Sequence, residues 1–150
     1  MNLHQSKLYL EDLDRALDHV VGMEALQNKS ILVTGATGTI GSFVADVLIR
    51  FVRKNDADTI IYLGGRNIEK LRHQFGIQKN VEFLPYDMNA PVTFDVHVDY
   101  IIHAAGNAHP AAFNGNPVGT TMGNIESTFR LLEYLRMHEG KRLLYVSSGE

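Results

Sequence analysis

The segment Thr34-Gly35-Ala36-Thr37-Gly38-Thr39-Ile40-Gly41 lies between the apolar run Ile31-Leu32-Val33 and an apolar stripe at Ile40, Phe43, Val44, Val47, Leu48 and Phe51. A short continuous apolar run suits a strand buried on both faces. Spacing of three and four residues is that of an amphipathic helix. Three glycines between two such elements restrict the chain sharply, because each has its own duty. One permits a tight turn, one lets the backbone approach anionic oxygens, and one lets helix and strand pack closely. The helix N-terminus adds unpaired N–H groups and a partial positive charge. Together they predict a cradle for a dinucleotide pyrophosphate at Gly35, Thr37, Gly38, Thr39, Ile40 and Gly41. A nucleotide-triphosphate loop would close on Gly-Lys-Ser/Thr, whereas Ser42 follows Gly41 directly; this argues against a kinase or ATPase loop.

Beyond this loop, strand-like and helix-like patterns alternate. A strand is expected at Thr59 to Leu63, a helix through Ile68, Leu71 and Phe75, and a strand at Val81 to Leu84. A loop holding Pro85 and Pro91 follows, since proline breaks regular structure. Tyr100 to Ile102 reads as a fourth strand, Met122, Ile125, Phe129, Leu132 and Leu135 mark a long helix, and Arg142 to Val146 reads as a fifth strand. This order predicts an α/β Rossmann-type fold, the N-terminal five-strand portion of a doubly wound parallel sheet. Residues 1–29 form a helical extension before it, with Leu10, Leu13, Leu17, Val20 and Val21 at helical spacing. Residues 30–150 are then the NAD(P)-binding domain.

Composition excludes several classes. The 150 residues are 45% apolar and 21% charged, average for a globular domain and unlike a disordered chain. A net charge of -3 offers no footprint for nucleic acid or an anionic membrane. With no cysteine, disulfide frameworks, thiolate zinc sites and cysteine nucleophiles are excluded. The order of His4 and Lys7 before Glu11, Asp12 and Asp14 does not suit a secretory signal. Ile31 to Ala45 falls short of the roughly 18 apolar residues a membrane span needs. A cytoplasmic setting is expected, with neither nucleic acid nor membrane as partner. His103 and His109 lack an acidic partner that would complete a metal site, so no metal is expected. Ser147-Ser148 is not a hydrolase elbow, because Gly-x-Ser-x-Gly is absent.

The three-residue spacing of Gly35, Gly38 and Gly41 resembles the fingerprint of the short-chain dehydrogenase/reductase family. Four further segments, in order, are similar to its extended branch of nucleotide-sugar epimerases, dehydratases and decarboxylases. They are Asp87-Met88; Asp99 to Gly106; Asn116-Pro117 with Asn124 and Leu131-Leu132-Glu133; and Leu144 to Glu150. The resemblance covers residues 30–150, with Ser127 where a glycine is usual. It implies that Asp87 and Met88 meet the adenine. Ala104, Ala105 and Gly106 would let the cofactor lie against backbone, with Asn124 and Ser147 beside it. Ser148 would hydrogen-bond the sugar 4-OH, and Glu150 would match an acidic catalytic position. Without the resemblance, Ser148 is equally a strand-end serine and Glu150 an ordinary surface residue.

The end of the second strand is Gly64-Gly65-Arg66-Asn67, without the carboxylate that would accept from ribose hydroxyls. The Arg66 guanidinium suits a phosphate, which leans the cofactor from NAD toward NADP. Arg66 would equally lie across adenine or in solvent, and Asn67 would equally serve as a helix N-cap. The implied chemistry is hydride removal at sugar C4 to give a 4-keto sugar, with epimerisation, dehydration or decarboxylation following. Its usual base, a tyrosine with lysine four positions later, is absent from these residues. A piece of a longer enzyme, inactive alone, is therefore expected, with a nucleotide sugar and a second copy as partners of the whole protein. A non-catalytic NAD(P)-binding module and a reductase of a small carbonyl substrate are the alternatives.

Overall fold

The computed structural model describes residues 6–106 and 110–147. Its centre is β1 (Ser30–Thr34), buried along its whole length. On one side lie β2 (Ile60–Gly65) and β3 (Val81–Pro85); on the other lie β4 (Tyr100–His103) and β5 (Arg142–Tyr145). All pairings are parallel, in the order β3-β2-β1-β4-β5. The chain therefore reverses its winding at β1, and a crevice opens beyond the carboxyl ends of β1 and β4.

Alternation along the strands divides the core in two. Ile31, Val33, Ile61 and Leu63 face α2 (Thr39–Asn55) and α3 (Ile68–Phe75), which supply Ala45, Leu48, Ile49, Leu71 and Phe75. Leu32, Tyr62, Leu84 and Ile101 face α5 (Pro117–Met137), which supplies Leu131, Tyr134 and Leu135. Helix α5 starts on Asn116, whose side chain accepts from Gly119 N at 2.9 Å, with Pro117 next to the cap. Proline fits there because the first helical N–H has no partner in the helix.

The N-terminal extension folds as α1 (Lys7–His19), capped by Ser6, and lies on α2. Tyr9 donates to the buried Asp46 at 2.6 Å. Arg50 donates to both Asp14 oxygens at 3.0 and 2.9 Å. These contacts fix α1 against the flank of the sheet domain, on the side away from α5.

Four local features differ from the sequence expectation. Helix α1 ends at His19, leaving Val21 97% exposed. A short 3-10 turn (Met23–Leu26) and α4 (Pro110–Gly115) have too few residues for a periodic signal. Pro85 ends β3 rather than opening the loop, which is tolerated because β3 is an edge strand. On α5, Met122, Ile125, Phe129 and Leu132 are exposed, and the buried face is Thr120, Gly123, Ser127, Leu131, Tyr134 and Leu135. Among the described residues, no helix is long and apolar enough to cross a membrane.

Candidate functional site

The crevice at the switch point encloses about 270 Å³. Its walls come from the turn after β1 (Gly35, Thr37, Gly38), the end of β2 (Gly65, Arg66), the segment after β3 (Tyr86, Met88, Asn89) and the segment after β4 (Ala104, Ala105, Gly106). Much of this surface is therefore main chain or small side chain.

The glycines divide the work as their spacing implies. Gly35 has φ +70, and a Cβ there would stand 2.6 Å from the Ala104 carbonyl carbon. Both the left-handed backbone and the close approach of β1 and β4 require glycine. A Cβ on Gly41 would overlap the Gly35 carbonyl, so this residue seats α2 against the turn. Gly38 has ordinary φ of -82 and is the N-cap of α2, with no side-chain cap. By contrast, Ser6, Asn67 and Asn116 each cap their own helix with a side-chain oxygen. The first N–H groups of α2 are thus left for an external acceptor, and the helix dipole favours an anionic one. Those residues fit a bound pyrophosphate.

The other sequence-predicted residues divide between crevice and surroundings. Thr37, Gly38, Arg66, Met88, Ala104, Ala105 and Gly106 line it together with Gly35. Thr39 and Ile40 form the exposed first turn of α2, with Ile40 57% exposed. Arg66 is exposed, and no described acidic side chain pairs with it. Asn67 caps α3, accepting from Lys70 N at 2.9 Å. Asp87 accepts from Asn89 N at 2.9 Å, which folds the loop after β3 into a turn. Asn124 on α5 comes within 3.5 Å of where a Gly106 Cβ would stand. Ser147 is exposed beyond β5. Ser148, Glu150 and His109 lie outside the described residues.

Sequence reasoning missed Gly65, Tyr86 and Asn89 as lining residues, although each adjoins a predicted one. His103, directly before the predicted cofactor-facing Ala104, does not line the crevice. The structure turns this ring away from the crevice into the α5 side of the core, fully buried. Nδ1 lies 2.7 Å from Thr34 Oγ1 and Nε2 lies 3.1 Å from Ser127 Oγ. Burial lowers the His103 pKa to about 4, so the ring is neutral near pH 7. Burial likewise pushes the Tyr86 phenol up to about 12.

Comparison with known proteins agrees with this geometry. UDP-glucuronic acid decarboxylase 2 of Arabidopsis thaliana is 31% identical over 122 residues, 80% of this chain and 26% of that protein. Among solved structures, UDP-glucose 4-epimerase of Bifidobacterium longum, in complex with NAD+ and UDP, has a TM-score of 0.59 at 20% identity. That match covers 80% of this chain and 37% of that one. The Bordetella bronchiseptica enzyme WbmF, in complex with NAD+, has a TM-score of 0.65 at 18% identity over 84% of this chain and 38% of that one. At such identities the structures speak for the fold alone. The chain spans about a quarter to two fifths of the length of the curated relatives it matches. The family profile itself runs across residues 31–150, from the first buried strand through the glycine turn and beyond β5. With most of its length matched, the chain belongs to the NAD dependent epimerase/dehydratase family.

Proposed function

We propose that residues 30–150 bind a nicotinamide dinucleotide in the switch-point crevice, as the cofactor-binding part of a cytoplasmic enzyme that modifies a nucleotide sugar. The observation that carries this reading is the glycine turn, where Gly35 and Gly41 leave room only for backbone and α2 presents an uncapped N-terminus. Gly35, Thr37 and Gly38 would hold the pyrophosphate, and Met88, with Asn124 nearby, would border the adenosine and the path of the chain past Gly106. The cofactor, when bound, supplies hydride transfer with the sugar C4. The protein's task is to fix the distance and keep water out.

Relatives named as UDP-glucuronic acid decarboxylases favour a uronic acid nucleotide as substrate. A ketone at C4 would stand β to the carboxylate on C5. Loss of that carboxylate as carbon dioxide would leave the bonding pair as an enolate, which would take a proton at C5. A coenzyme that gives back the hydride it took would leave no need for a net reductant. Ser148 and Glu150 are the proposed substrate contacts, by resemblance. Epimerisation at C4 is the second reading, supported by the relative named as a putative UDP-glucose 4-epimerase. Incubating the protein, joined to any further residues of its gene, with UDP-glucuronate or UDP-glucose tests the choice. A released UDP-pentose and carbon dioxide support decarboxylation, and a UDP-galactose product supports epimerisation. Absence of both products contradicts the nucleotide-sugar reading.

Arg66 stands at the crevice with no described acidic partner, at a strand end without a carboxylate. We propose that it meets a 2′-phosphate and so favours NADP. Arg66→Ala would then weaken NADPH by about tenfold, the loss of one charge-assisted contact, and leave NADH within about twofold. Equal weakening of both coenzymes would contradict the phosphate role.

A further inference from the structure

The α5 side of the sheet is an apolar layer built on Leu32, Ile101 and Leu131, yet a chain of polar side chains crosses it. Thr34 of β1 meets His103 Nδ1, and Ser127 of α5 meets His103 Nε2. The Ser127 hydroxyl also donates to the Asn124 carbonyl at 3.1 Å. With that donation the Ser127 lone pairs serve as acceptors, an arrangement in which a neutral His103 would carry its proton on Nε2 and accept from the Thr34 hydroxyl at Nδ1. Tyr86 approaches the same point. Its ring is edge-on to His103, and its buried hydroxyl points to the same Ser127 hydroxyl. Thr34 and His103 each stand one position ahead of a crevice residue, Gly35 and Ala104, and Tyr86, just past β3, lines the crevice itself.

We propose that Ser127 is a positioning residue for the crevice, its hydroxyl tying α5 to His103 and, through that ring, to Thr34, so that the ends of β1 and β4 keep the separation the Gly35 and Ala104 backbones require. Where the family resemblance leads one to expect glycine, no hydroxyl would be present, and His103 Nε2 would face α5 without a partner. A buried donor left unpaired destabilises the arrangement around it. The ring would then turn or change tautomer, and the β1 and β4 ends, still paired backbone to backbone, would lose their side-chain link to α5. This inference rests on the dinucleotide reading of the crevice.

The test combines ring 15N spectroscopy of His103 at pH 7 with titration by NADH and NADPH of the wild type and of Ser127→Gly, Ser127→Ala, Thr34→Val and the Ser127→Ala/Thr34→Val pair. Ser127→Ala removes only the oxygen and keeps a good helix former, so it stays folded even where glycine loosens α5. The wild type is expected to give the Nε2–H pattern, and the serine variants to lose it. Each single variant should bind about tenfold more weakly, and the pair no more weakly than the poorer single, since both break one chain. Serine variants binding within about twofold of wild type, a pair whose losses multiply, or an Nδ1–H ring in the wild type would each overturn the proposal while leaving the dinucleotide reading intact. A wild type that binds neither coenzyme would instead overturn that reading, and this inference with it.

Discussion

At the scale of single residues, the glycine turn separates two kinds of constraint. Gly35 is held by positive φ and by contact with Ala104 backbone, so Gly35→Ala should cost about 2 to 4 kcal/mol in chemical denaturation. Gly38 has an ordinary φ and a milder approach, 3.3 Å from the Gly35 carbonyl to an added Cβ. Gly38→Ala should therefore change stability by less than about 1 kcal/mol while weakening dinucleotide binding through the methyl at the phosphate seat. Equal stability losses in the two variants would contradict this division. His103 sets a pH dependence. Its folded pKa of about 4 lies below the ordinary value of 6.5, so between these the unfolded chain binds more protons than the folded one. Stability is fully present above about pH 6.5, falls by about 3 kcal/mol toward pH 4, and levels below it. The groups facing the ring are Thr34, Ser127 and the rings of Tyr86 and Tyr145. No carboxylate is among them to offset a charge. Denaturation curves from pH 4 to 7 should show that loss in the wild type and lack it in His103→Gln. The turn was legible in the sequence because its glycines are neighbours along the chain. The polar tether was not, because Thr34 and His103 are 69 positions apart and His103 and Ser127 are 24 apart.

At the scale of elements, the succession of strands and longer helices along the chain followed from periodicity because β1, β2 and α2 are buried where their patterns say so. Helix α5 resists such reading because both faces carry apolar residues. The face packed on the sheet needs small residues at Thr120, Gly123 and Ser127 where the helix runs past the loop after β3. The larger stripe of Met122, Ile125, Phe129 and Leu132 is left outward. The two faces should answer mutation differently. Leu131→Ala, at a fully buried position, should cost about 2 to 5 kcal/mol. Phe129→Ala, at a residue 62% exposed, should change monomer stability by less than about 0.5 kcal/mol. Thermal or urea denaturation of both at low protein concentration checks the ranking, and a reversed ranking would mean that the assigned buried face is wrong. The extent of α1 was legible only in part. Val20 and Val21 continue the spacing, but the helix stops at His19, where the chain turns toward β1.

At the scale of the whole molecule, we propose that the fold presents bare main chain and an uncapped helix end to a dinucleotide. Calorimetric titration of the chain with NADH and with NADPH tests this most directly. Saturable heat is expected at one site per chain for at least one coenzyme, abolished in Gly35→Ala and reduced in Gly38→Ala. Absence of heat with either coenzyme, or binding that survives both substitutions unchanged, would contradict it.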